Sequence, residues 1–160
     1  MKITKKWLAK HNACPDGTEW LESQEEREGV DVIKALVSAC KLFWANWTIA
    51  RLLNRKDRIR YAVFAAESCI DKFEALYPDD KSPREAIEAA KRVIQRDSMA
   101  NRNAANSAAN SAYGAASAAY SVADSAASAA YSAASAANSV AESANLKSII
   151  EYGITLLEEK

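Results

Sequence analysis

The sequence carries little of what catalysis or cofactor binding usually needs. Its 160 residues include one histidine, four glycines, three prolines and three cysteines. So few glycines make backbone-built phosphate cradles scarce, and no CxxC, HExxH or calcium-loop spacing is present. No cofactor and no metal site is therefore expected. A Ser–His or Cys–His couple would have to use His11, and no orienting acid marks it. His11 reads instead as a surface residue ending a first short helix, and no enzymatic activity is expected. The cysteines, Cys14, Cys40 and Cys69, are odd in number and widely spaced, which excludes a disulfide framework. Cys40 and Cys69 fall inside apolar helical patterns, so buried thiols in a reducing compartment, the cytoplasm, are expected.

Net charge is also missing. Twenty-one Lys and Arg balance twenty-one Asp and Glu, so no global field draws the chain to nucleic acid or an anionic membrane. It is equally unlike an acidic mimic of DNA. No window approaches the apolar run of about eighteen residues that a membrane-spanning helix needs. The opening MKITKKWLAKHNACPDG has lysines but no apolar run behind them, so a signal peptide is not expected. Strand alternation is absent as well.

What is present is helical periodicity. Thr4 is placed to cap a short helix carrying Trp7 and Leu8, and Asp16 with Glu19 reads as the capping box of a second one. From Val30, apolar residues recur at three- and four-residue steps through Ile33, Leu36, Cys40, Phe43, Trp44, Trp47 and Ala50, which predicts one long helix. Phe43, Trp44 and Trp47 lie on that stripe and are assigned to core packing rather than to base stacking. A basic elbow, Arg51 to Arg60, is read as solvated charge. A second stripe runs through Ile59, Ala62, Val63, Ala66, Cys69, Ile70, Phe73 and Leu76, and Pro78 stops it. Ser82 as N-cap, Pro83 at the first helical position and Glu85 as the box partner start the next helix. Asn145 is placed to cap a last helix with Leu146, Ile149, Ile150, Leu156 and Leu157 inward.

Between Ala104 and Ala144 the chain is nearly all small residues, yet ordered in pattern. ASAAYSVADSA (Ala116 to Ala126) returns eleven residues later as ASAAYSAASAA and, eighteen after the first, as ASAANSVAESA. Both shifts are close to whole numbers of turns at about 3.6 residues each. Tyr113, Tyr120, Tyr131 and Asn138 thus share a line, and serines from Ser107 to Ser143 form a polar column. With only Asp124 and Glu142 charged, this rod is expected inside the molecule, enclosed by bulkier stripes at close helix spacing. Continuous helix from 100 to 144 would reach roughly 67 Å, against a radius of gyration of about 15 Å for such a domain. A break between Asn101 and Gly114 follows. The expectation is a single all-α domain, a compact helical bundle around a long Ala/Ser central helix. It comprises short helices over 1–28, amphipathic helices over 30–96, the small-residue region over 100–144 and a C-terminal helix over 145–160.

The stretch YAVFAAESCIDKFEALYPDDKSPREAIEAAKRVI (Tyr61 to Ile94) resembles a bacterial family of immunity proteins associated with polymorphic toxin systems. Its Tyr-Pro-Asp-Asp-Lys-x-Pro-Arg-Glu run and following alanine-rich helix carry the likeness. KITKKWLAKHNACPDGTEWL is similar to the start of many small proteins of phages and mobile elements. The resemblance implies a helical binding protein that neutralises a toxin by contact; an alternative is a phage-encoded inhibitor of a host defence system. Either implies a protein partner, toxin or defence protein, and no nucleic acid or membrane. Asp79, Asp80, Lys81 and Arg84, crowded before a helix N-terminus where carboxylates are favoured, are the candidate partner-binding residues. Pairing of Asp79 or Asp80 with Arg84 as a structural clamp is the other role open to them.

Overall fold

In the computed structural model the chain is all-helical. The structure describes residues 1–24, 28–105, 107 and 131–159, and for Cys69, Leu76 and 131–144 the backbone alone. The break placed between Asn101 and Gly114, and the enclosure of the Ala/Ser rod, lie outside the described residues. The helices are α1 (Lys5–Lys10), α2 (Pro15–Glu22), α3 (Gly29–Ser38), α4 (Leu42–Leu52), α5 (Arg55–Leu76), α6 (Ser82–Gln95) and α7 (Tyr131–Glu158). Residues 99–105 are helical too. The described residues hold no strand beyond a single bridge between Lys2 and Glu28. The backbone falls into two compact units, Met1–Arg58 with Ser143–Lys160, and Ile59–Glu142.

The first unit is built on local stops. Thr4 accepts from the Trp7 amide and opens α1 as its sequence predicts. α1 ends with Asn12 at φ 54°, while the Ala13 amide reaches back to the Leu8 carbonyl at 3.0 Å. That is a Schellman closure, with asparagine in the left-handed position that glycine usually takes. α2 begins at Pro15, with Cys14 rather than Asp16 as its cap. The Cys14 Sγ accepts from the Gly17 amide at 3.4 Å, because proline's fixed φ suits the first helical position. Asp16 sits in the first turn instead, on the favourable side of the dipole.

The long helix expected from Val30 to Ala50 is two helices. Cys40 adopts φ 55°, and its amide and that of Lys41 return to the carbonyls of Val37 and Leu36 at 3.0 and 2.8 Å. This second Schellman closure folds α4 back onto α3, so their apolar faces pack together. Cys40 is left exposed, contrary to the buried thiol expected of it. Val32, Ile33, Leu36, Ala45, Ile49 and Leu53 form the core with Ile3, Leu8, Leu21, Ile150 and Leu156. Lys34 pairs with Glu158 at 2.8 Å on the rim. Thr48, buried among these, donates to the Trp44 carbonyl at 2.8 Å and so leaves no unmet hydroxyl. At the start of α3 glycine fits with nothing displaced: a Cβ on Gly29 would lie 2.7 Å from Leu52 Cδ1 and 3.2 Å from the Met1 carbonyl.

The second unit packs α5 against α6. Val63, Ile70 and Ile87 are its centre, flanked by Ile59, Ala66, Ala90 and Ile94. Ala62, assigned to that stripe, is exposed, and Tyr61 is buried instead. Burial pushes the Tyr61 hydroxyl up to about 12. The stop at Pro78 is as predicted, since α5 ends at Leu76. Asn145 caps nothing: α7 runs through it unbroken, because the alanines and serines before it and the leucine after it all tolerate helix.

Candidate functional site

The four residues singled out in the sequence lie at the turn between α5 and α6. Asp79 and Lys81 are exposed. Lys81 Nζ donates to the Pro78 carbonyl at 2.6 Å. Asp80 Oδ1 accepts from both the Ser82 amide, at 2.9 Å, and its hydroxyl, at 2.6 Å. Those two bonds hold the Asp80 carboxyl below its ordinary range. Ser82 is therefore not the cap of α6. Its amide and hydroxyl turn back to Asp80 within the first helical residue, Lys81 takes the cap position with no side-chain cap bond, and no capping box with Glu85 forms.

Arg84 does not pair with Asp79 or Asp80. It forks onto Glu74, with Nε to Oε1 at 2.5 Å and Nη2 to Oε2 at 2.7 Å, and has Asp71 at 3.6 Å. The clamp expected within the turn does not form; the Arg84 fork ties α6 to the body of α5 instead. Hydrogen bonding to Arg84, then the charges of Arg84 and Lys81, hold Glu74 below its ordinary value against burial. Lys91 bridges Glu67 and Glu88 at 2.8 and 2.7 Å in the same way. The guanidinium expected at a partner is thus already engaged, while Asp79 stays at the surface.

A second site was not legible as one. In the first unit a hollow of about 330 Å³ opens among α1 to α4, within the range of ligand pockets. Trp20 comes from α2, Trp44 and Trp47 from α4, and Leu8, Leu21 and Leu36 close its floor. Cys14, Asn12 and Thr48 are its polar lining, and no charged residue lines it. The indoles are held by edge contacts: Trp20 meets Trp44 at 6.4 Å and Trp7 meets Trp47 at 5.8 Å between centroids. Lys41 Nζ lies 4.3 Å over the Trp44 ring and the Arg51 guanidinium 3.9 Å over Trp47. Such stacking contributes about 0.5–1 kcal/mol at exposed sites. Arg51 also donates to the Trp47 carbonyl at 3.1 Å.

The core assignment for these aromatics needs correcting. Trp44 and Trp47 are half-buried, and Phe43 is 81% exposed at the edge of the hollow. The kink at Cys40 re-aims α4, so a stripe that would have faced inward on one straight helix turns partly to solvent. His11 ends α1, as expected, with its ring 4.4 Å from that of Trp7. Among the described residues no cluster of three or more His, Cys, Asp or Glu is placed to hold a metal ion. No helix among them is long and apolar enough to cross a membrane. Comparison with protein-family models, with curated proteins and with solved structures gives no match.

Proposed function

We propose that this is an immunity-type binding protein that neutralises a toxin by direct contact, and that the tryptophan-lined hollow is where the contact is made. The observation that carries the reading is Phe43, fully displayed beside an apolar concavity walled by Trp20, Trp44 and Trp47. Exposed aromatics around a desolvated depression are the composition of interface hot spots, where few residues supply most of the binding energy. The Cys40 closure and the edge-packed indoles hold this surface in shape before any partner arrives, which lowers the entropy cost of association. Stoichiometric neutralisation requires only such a rigid face. The resemblance over Tyr61 to Ile94 supplies the class of partner.

The test is co-expression with a polymorphic-system toxin sought among the genes that flank this one. The expected result is a one-to-one complex on size exclusion and restored growth of the host. Both are lost in Phe43→Ser and Trp20→Ala, while Asp79→Ala keeps them. Protection that survives both hollow variants overturns the assignment of the surface. Capture of a host defence protein with no effect on the toxin overturns the toxin reading in favour of a defence inhibitor.

A further inference from the structure

Resting on the reading of the hollow as a docking surface, we propose that its occupant is a single large apolar side chain on a partner segment that carries carboxylates on both sides. The interior sets the first half. No lining residue is charged, so a charged group inserted there would lose its hydration without a counter-ion. A volume of about 330 Å³, near the lower end of the roughly 300–1,000 Å³ of ligand pockets, is room for a bulky apolar side chain.

The rim sets the second half. The charges that touch the lining rings are both cations, Lys41 on Trp44 and Arg51 on Trp47. Among the described residues neither is ion-paired with a carboxylate, whereas Met1 pairs with Glu28, Lys5 with Glu22 and Lys34 with Glu158. Neither Asp16 nor Glu19 on α2 lines the hollow, which takes Gly17, Trp20 and Leu21 from that helix; the helical period turns Glu19 away, and Asp16, one turn before Trp20, is exposed. Burial and the like charge of Arg58 pull the Arg51 guanidinium down. An approaching carboxylate would relieve that repulsion. A basic segment would instead meet two cations held against the lining rings.

The experiment uses the full-length protein and three blocked tripeptides, Asp-Phe-Asp and its counterparts with Ser or Lys in place of both Asp. Binding is followed by NMR on the indole N–H signals. The expected result is that Trp20, Trp44 and Trp47 signals move, and that the acidic peptide binds about three- to tenfold tighter than the Ser peptide, with the Lys peptide weakest. The gap should close in ~0.5 M salt and in the Lys41→Gln, Arg51→Gln double variant. Should the double variant lose its fold, Lys41→Gln alone narrows the gap. Equal affinities, or preference for the Lys peptide, overturn the acidic-partner inference and leave the hollow as a docking surface. If no peptide moves the indole signals, the docking reading falls with it.

Discussion

Cys40→Gly should make this protein more stable, although glycine is usually a poor choice beside a helix. Cys40 sits at φ 55° as the left-handed residue of a Schellman closure. There its Cβ crowds the following carbonyl, at about 1–2 kcal/mol. Glycine removes that strain, and its greater freedom in the unfolded chain takes back about 0.5–1 kcal/mol. The Cys40 side chain is exposed, so no buried contact is lost in exchange. The net is a gain of about 0.5–1 kcal/mol, or about 1–4 °C in Tm for a chain of this size. Urea denaturation followed by circular dichroism reads it as a raised midpoint at unchanged slope. Cys40→Val supplies the opposite sign, because a β-branched side chain tolerates this backbone worst. A lowered midpoint for Cys40→Gly, or equal midpoints for the Gly and Val variants, would show that α3 and α4 do not turn at Cys40 in this way.

Three further outcomes follow from the same geometry. Gly29→Ala should cost about 1 kcal/mol by urea midpoint, at the low end of overpacking. The Leu52 methyl can turn aside, whereas the Met1 carbonyl accepts from the Gly29 amide at 2.9 Å and cannot move freely. Glu74 is depressed in the folded state, so its pairing with Arg84 stabilises fully above its ordinary 4.5 and is lost as pH falls through the folded value. Melting temperatures between about pH 5 and 3 should therefore fall less steeply in Glu74→Gln than in the parent, and parallel slopes would refute the clamp. Phe43→Ser should leave stability within about 0.5 kcal/mol by the same urea assay, since the ring is displayed rather than packed. A large loss would mean that Phe43 belongs to the core after all.

The helical class was legible because alternation is absent and punctuation is plain where it exists. Thr4 before Trp7 and Pro78 after Leu76 mark ends that the backbone honours. The break at Cys40 was not legible, since no glycine or proline stands there and the three- and four-residue spacing continues across it. Losing that break meant losing the hollow, because the direction of Phe43, Trp44 and Trp47 depends on where α4 begins. Arg84 shows the same limit in the second unit. Its neighbours in sequence are Asp79 and Asp80, yet the side chain takes Glu74, ten residues back. Which carboxylate a long guanidinium reaches is set by how α6 lies along α5, and local spacing does not encode that. The Asp80 and Ser82 pairing, by contrast, spans only two residues and belongs to the familiar repertoire of side-chain turns.

All four tryptophans, Trp7, Trp20, Trp44 and Trp47, lie in the first unit, and the second contains none. Emission excited at the red edge of the indole band therefore watches one unit and is blind to the other. Followed beside backbone dichroism during denaturation, it separates loss of the first unit from loss of helix elsewhere. The native chain thus carries its own label for asking whether its two halves melt together.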